Sequence, residues 1–347
     1  MNLEGRILLG RFRVEALIAR GGMGAVYLAR HLALDMPVAI KVIQRDLGGP
    51  GEVLEGARDH LRIRFQREAR ALARVSSEYV CRPLDFGTLE SGEPYLVLEH
   101  LVGASLSSVA AQGRMTSSMI ADHCAQVAAG LAAVHEQGLV HRDLKPSNIF
   151  IAQVQGGRRL AKLVDFGLAK ALDIDTLITQ GGQLIGTPEF MSPEQVACAP
   201  DIDHRADLWA LGVVLHWMVT GVPPFRAPSR SQLLKAIMHE EARLDDPAWR
   251  AVPLLRDATA ACLAKYPAKR PASVAAIVDM IGPLLSEEGA HAARIARARR
   301  ASSAPVAEDP GHLPSMETTV ARGEDRASIP QRPPPPVAKE FRTPRKR

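Results

Sequence analysis

The stretch Ile18 to Tyr27, IARGGMGAVY, sets Gly21, Gly22 and Gly24 between two segments that alternate in character, Phe12 to Leu17 before it and Ala25 to Arg30 after it. Alternation of period two marks a strand with one buried face, and glycine supplies the backbone freedom that a tight reversal needs. Leu34-Asp-Met-Pro37 brings turn chemistry, and Val38 to Ile43 (VAIKVI) is rich in β-branched residues. The chain is therefore constrained to open as a small antiparallel sheet carrying a glycine hairpin. Set against the phosphate-cradling pattern G-x-G-x-x-G, Gly21 and Gly24 fill the second and third places, while Ala19 stands in the first. The hairpin alone fits a nucleotide cradle and a plain turn equally well.

Beyond Gly48 to Gly51 the period changes. Asp59 to Val75 carries Leu61, Phe65, Ala69, Leu72 and Val75 at helical spacing, and Ser117 to His135 sets Ile120, Cys124, Val127, Leu131 and Val134 on one face. Tyr95 to Leu98 reads as a buried strand between them. Ala206 to Thr220, Ser231 to His239 and Ser273 to Leu285 read as further helices. A strand-rich start followed by helices predicts an α+β protein, with a small antiparallel-sheet lobe and a larger helical lobe.

After Leu285 the composition shifts. From Ser286 to Arg347 there are 12 basic against 8 acidic residues, which supplies +4 of the net charge of +5. The preceding part is nearly neutral and offers no broad basic surface for nucleic acid. Arg294 to Arg300 is a basic alanine-arginine run, and Gln331 to Val337 (QRPPPPV) is a polyproline stretch. With so few apolar residues, 286–347 is expected to stay disordered. Cys81, Cys124, Cys198 and Cys262 are far apart and form no C-x-x-C pair, which predicts reduced thiols rather than a zinc site or a disulfide framework. Ala210 to Val219 is about half of the roughly 20 apolar residues that a membrane span needs. The opening MNLEGRILLG lacks the basic start and long apolar run of a secretory signal. No transmembrane segment and a cytoplasmic location are the expectations.

Four more stretches follow the hairpin in order: Val38-Ala-Ile-Lys41, His141-Arg-Asp-Leu-Lys-Pro-Ser-Asn148, Asp165-Phe-Gly167 and Ser192-Pro-Glu194. Taken with the glycine loop, they resemble the protein-kinase signature set, and Lys145-Pro146 resembles its serine/threonine branch. The GGMG wording is similar to that of bacterial members. The resemblance covers about residues 10–283. It implies a bilobal catalytic domain over 1–285, with an N-lobe over 10–98, a hinge over 99–102 and a C-lobe over 103–285, and a tail over 286–347.

The function that the resemblance implies is phosphoryl transfer from ATP to serine or threonine hydroxyls of protein substrates, with magnesium, or manganese in its place, as the metal. Such a reaction asks the protein mainly to position the nucleotide, neutralise its phosphates and orient the attacking hydroxyl. Lys41 is then expected to reach the α- and β-phosphates, held by a carboxylate of the long helix; Glu68 is the best match, with Glu55 and Glu78 as rivals. Asp143 would orient the substrate hydroxyl, Lys145 would stabilise the transferring group, and Asn148 and Asp165 would hold the metal. Ile18, Ala19, Gly21, Gly22, Gly24, Val26 and Ala39 would line the nucleotide, and Glu99 to Leu101, after Leu98 as gatekeeper, would offer backbone groups to the adenine. His141 is expected to be a packed core histidine beside Phe166, not a base or a ligand. Asp207 would anchor the catalytic-loop backbone, and Glu194 would pair with Arg270.

Regulation is implied as well. Arg142 resembles the arginine that receives a phosphate from the activation loop; Thr179 is the first candidate acceptor, Thr176 the second, and Thr187 resembles a threonine that contacts Asp143 and Lys145. Autophosphorylation is thus expected. The tail is a candidate ligand for an acidic partner, an anionic membrane or a proline-binding module, through Arg294 to Arg300, Arg342 to Arg347 and Pro333 to Pro336. Ala19 leaves room for a different class of function, a catalytically weak scaffold that signals by binding. A dinucleotide-binding dehydrogenase is excluded, because no helix opens directly after the glycines.

Overall fold

A computed structural model describes residues 3–21, 24–43, 55–166 and 188–302. Alternation builds the first sheet as expected: β1 (Ile7–Leu8), β2 (Phe12–Gly21), β3 (Gly24–His31), β4 (Met36–Ile43), β5 (Pro83–Thr88) and β6 (Pro94–Glu99) lie in the order β1-β2-β3-β4-β6-β5. Every printed pairing in it is antiparallel. One face buries Phe12, Val14, Ala25, Tyr27, Val38 and Ile40 in a core of its own. The other face is set by register: Val26 stands opposite Lys41, Leu28 opposite Ala39, and Lys41 and Ala39 opposite Leu96 and Leu98. Residues directly opposite in a ladder share a face, so the pleat gathers Val26, Ala39, Lys41 and Leu98 on one surface.

Helix α1 (Glu55–Leu72) follows, and its Phe65, Ala69 and Leu72, spaced i, i+4 and i+7, enter the second and larger core with Ile43 and Leu96. Strand β7 (Gly103–Ser105), β8 (Ile149–Gln153) and β9 (Arg159–Leu163) form a small sheet beside α2 (Leu106–Ala110) and α3 (Ser117–Glu136). Helix α3 is capped by Thr116 and is buried without a break from Ile120 apart from its two polar positions His123 and Asp122. Small residues let its neighbours come close: a methyl group on Gly130 would stand 2.8 Å from Tyr79 O.

The remaining helices are α4 (Pro193–Val196), α5 (Arg205–Thr220), α6 (Arg230–His239), α7 (Pro253–Cys262) and α8 (Val274–Ile281). Helix α5 is buried on nearly every side, from Ala206 to His216, and it ends at Gly221 with φ +79°.

One expectation fails. Residues 286–302 are not a disordered tail: Glu287–Ser302 form helix α9, which packs along α3. Its Ala292, Ala293 and Ala296 are buried, Ser286 donates its amide and hydroxyl to Asp122 at 2.9 and 2.7 Å, and a methyl on Gly289 would meet Asp122 Oδ1 at 2.0 Å. Alanine counts little in a reading of hydrophobicity, yet it is the best helix former and gives a thin face that a second small-residue helix can approach closely. The compact unit accordingly runs to Ala304 rather than 285. The basic run changes meaning too, since Arg297 pairs with Asp279 at 2.7 Å and Arg299 with Glu136. No helix among the described residues is long and apolar enough to cross a membrane.

Candidate active site

Three of the residues singled out in the catalytic loop form one network. Lys145 Nζ donates to Asp143 Oδ2 at 3.0 Å, and Asn148 Nδ2 donates to the carbonyl and to Oδ2 of Asp143 at 2.8 and 2.9 Å. Lys41 and Asp165 form a second group, an ion pair of 2.9 Å. The β8–β9 ladder joins the two: Ile149 faces Leu163, and Val164 N donates to Asn148 O at 3.0 Å. Lys41, Asp143, Asn148 and Asp165, scattered over 125 positions of sequence, are thus borne on elements that hydrogen-bond or pair with one another.

The loop is held from beneath by Asp207, which is fully buried at the start of α5. Its carboxylate accepts from His141 N at 2.8 Å, from Arg142 N at 2.9 Å and from His135 Nε2 at 2.8 Å. Burial alone pushes this carboxyl up, but the hydrogen bond and charge of His135, with His141 behind them, outweigh it and hold the carboxyl below its ordinary value. The backbone so fixed is strained, with φ +61° at Arg142 and +56° at Asp165. Left-handed conformations at such residues cost about 1–3 kcal/mol each and persist only where the surroundings over-determine them.

His141 is the packed histidine expected. Its ring packs tilted against Phe166 with centroids 4.7 Å apart, its Nε2 donates to Val164 O at 3.2 Å, and its Nδ1 accepts from Asp143 N at 3.3 Å. Only the neutral ring can do both, and burial lowers its pKa in the same sense. Leu72, Leu98, Cys81 and Phe166 line a narrow pocket that reaches Lys41 and Asp165. Burial pushes the Cys81 thiol up to about 12, so it lines the pocket as an apolar group.

The nucleotide-facing candidates divide. Gly24 has φ +142°, a conformation side chains rarely adopt, whereas Gly21 has an ordinary φ and open space where a methyl would stand. Ile18 and Ala19 lie on the exposed part of β2, where the ladder slips between Leu17 and Ala19. Gly22 lies outside the described residues. Glu99 donates its amide to Arg82 O at 3.0 Å, and its carbonyl accepts from Cys81 Sγ at 3.8 Å with a lone pair still to offer. Its carboxylate accepts from Lys162 Nζ at 2.7 Å and Arg82 N at 2.9 Å. Leu101 is half-buried just before Gly103, where a methyl would stand 2.1 Å from Ile151 O. Glu68 is half-buried on α1. Arg142 has its Nε buried with no hydrogen-bond partner among the described residues. Thr176, Thr179 and Thr187 lie outside those residues.

The metal implied by the motifs fits the donors. Asn148 spends its amide nitrogen on Asp143, its amide oxygen accepts a long bond from Ser147 Oγ at 3.5 Å, and Asp165 adds a carboxylate; both are hard oxygen ligands. Among the described residues no group of three or more His, Cys, Asp or Glu could hold a metal.

A model for the protein kinase domain matches residues 12–280. The chain belongs to the protein kinase family. It is 35% identical over 279 residues to the serine/threonine-protein kinase pkn3 of Myxococcus xanthus, covering 78% of this chain and 49% of that one. It is 39% identical over 263 residues to pkn2 of the same organism, covering 75% and 29%, and 33% identical over 316 residues to PknH of Mycobacterium tuberculosis, covering 90% and 48%. The chain thus spans about half the length, or less, of these relatives.

Three positions carry more of this kinase site than their local sequence suggests. His135 is a carboxylate partner, bonded to Asp207 Oδ2 at 2.8 Å. Lys162, an ordinary basic residue on β9, ties the hinge to the strand that leads to Asp165. Ser192 departs from the usual alanine, and it caps α4 in a box with Gln195, whose side chain also donates to Arg142 O at 3.0 Å. The S-x-x-Q spacing was the available signal for the last; the first two had none.

Proposed function

We propose that this kinase domain transfers the γ-phosphoryl group of ATP to serine and threonine hydroxyls of proteins, including its own. The reading is supported above all by the convergence of Asp143, Lys145 and Asn148 in one network next to the Lys41–Asp165 pair. The names of the relatives, all serine/threonine-protein kinases, point the same way.

In this mechanism Val26, Ala39 and Leu98 cover the adenine, the Glu99 carbonyl and Leu101 backbone give it direction, and Lys41, partnered by Glu68, holds the α- and β-phosphates. Asp143 accepts the hydrogen bond of the substrate hydroxyl and takes its proton as the oxygen bonds to the γ-phosphorus and the bond to ADP breaks. Lys145 offsets charge on the transferring group. Asp165 and the Asn148 oxygen would hold magnesium, or manganese, which when bound neutralises phosphate oxygens. The catalytic unit takes in α9 as well as 1–285, works in the cytoplasm, and leaves residues beyond 302 to bind acidic partners, anionic membrane or proline-binding modules.

Arg142 supplies the switch. Its buried Nε has no hydrogen-bond partner among the described residues, and a phosphate on Thr179 or Thr176 would give it a charge-assisted one. Purified protein with magnesium and ATP is expected to label itself and generic basic proteins on serine and threonine. Asp165→Asn should lower that labelling by a factor on the order of 10³ while the circular dichroism stays unchanged. Equal labelling by both would replace the enzyme with a binding scaffold.

A further inference from the structure

The connection between α1 and β5, residues 73–82, is the joint through which the two lobes meet the active site. It is bonded to β9, with Leu163 N donating to Tyr79 O at 2.8 Å and Cys81 N to Leu163 O at 2.9 Å, and to the hinge, with Glu99 N donating to Arg82 O at 3.0 Å. Val75, Tyr79 and Val80 anchor it in the core. Upstream it continues α1, which carries Glu68; across the bridge it steadies Leu163, two residues before Asp165. Whatever fixes this joint fixes the spacing of both groups relative to the catalytic loop.

Helix α9 reaches it. Arg299 Nη2 donates to Ser76 O at 2.5 Å, while Nη1 of the same guanidinium pairs with Glu136, the last residue of α3. Five residues beyond Glu136 stands His141, where Asp207 takes hold of the loop. One planar fork therefore bridges the segment that leads into the catalytic loop and the joint that steadies α1 and β9. A guanidinium is suited to this because its donors diverge at fixed angles and it never loses its charge. The ion pair is three-quarters buried on both sides, at 24% side-chain exposure for each partner, while the bond to Ser76 O lies at the exposed end of the fork. His291 adds a looser contact from the same helix to Glu78 at 3.6 Å. By contrast Arg297, two residues earlier, points to Asp279 on α8, which belongs to neither segment.

We propose that Arg299 is a positioning residue for phosphoryl transfer, and that α9 works as a clamp which holds the interlobe joint against the end of α3. This rests on the kinase reading for its activity arm only. The test compares Arg299→Ala, Arg299→Lys and Arg297→Ala with the full chain, by kcat and KM per folded molecule and by hydrogen exchange of the amides of Cys81 and Leu163.

Arg299→Ala is expected to lower kcat roughly fivefold to tenfold with KM for ATP within about twofold, as for a group that shapes geometry rather than binds nucleotide. Exchange at Cys81 and Leu163 should quicken about tenfold, because both bonds lie in the loosened joint. Arg299→Lys, which can keep one of the two contacts, should fall between, and Arg297→Ala should match wild type in both readouts. A purely structural role would lower the melting temperature of Arg299→Ala and leave kcat per folded molecule and local exchange as they were; that result, or identical behaviour of Arg299→Ala and Arg297→Ala, overturns the proposal. If wild type transfers no phosphoryl group at all, the functional reading fails, and the exchange comparison still decides whether the clamp exists.

Discussion

The β2–β3 hairpin and the loop from His141 to Asn148 both carry candidate site residues, and they are built in opposite ways. From Glu15 onward β2 is exposed, its ladder with β3 slips twice, and its turn relies on Gly24 at φ +142°. The catalytic loop buries His141, Leu144 and Asn148, and hangs from two backbone hydrogen bonds to the buried Asp207, which His135 of α3 holds in turn. Where the hairpin meets an awkward backbone angle it uses glycine; where the loop meets one it forces Arg142 into it. On the proposed function, a cover that admits and releases a nucleotide would gain from weak tertiary support, whereas groups that act on a developing charge would gain from being fixed beforehand.

The contrast can be broken most severely at Asp207. Asp207→Ala leaves three buried donors without an acceptor, and is expected to cost about 4 kcal/mol in urea unfolding and about 10³ in kcat. Because the folded carboxyl lies below its ordinary 3.8, its contribution is complete above that value. It fades as the pH falls through the lowered value, so the stability gap to Asp207→Asn should close on acidification below 3.8 and stay constant above about 5.

A smaller effect belongs to a neighbouring ion pair, whose Arg270 also donates to Arg205 O at 2.8 Å at the start of α5. Arg270→Ala strands the Glu194 carboxylate, which Arg270 holds with two bonds of 2.6 and 2.8 Å, and should cost about 3 kcal/mol with kcat per folded molecule little changed.

On the hairpin the changes should be milder and confined to binding. Gly24→Ala, strained by its backbone angle, is expected to raise KM for ATP roughly fivefold, and Ala19→Gly to lower it about twofold, with kcat constant in both. Should Ala19→Gly alter kcat as much as KM, the hairpin takes part in the chemical step and the contrast is lost.

Much of this architecture was legible beforehand. Strand and helix periods gave the lobes, and five short motifs in order gave the site, because both are written in residues close together in sequence. Helix α9 was misread because its face is alanine, which marks neither core nor solvent. The role of His135 was missed because its partner, Asp207, is 72 positions away.

What the chain determined by itself is which chemical groups are present and which local turns, strands and helices hold them, since those choices rest on periods and backbone angles a few residues long. What only the tertiary structure decided is how those groups are braced: Asp207 beneath the loop, Lys162 behind the hinge, Arg299 between Ser76 and Glu136. Such contacts are fixed by packing, which brings distant donors and acceptors within 3 Å, and no local pattern encodes a distance of that kind.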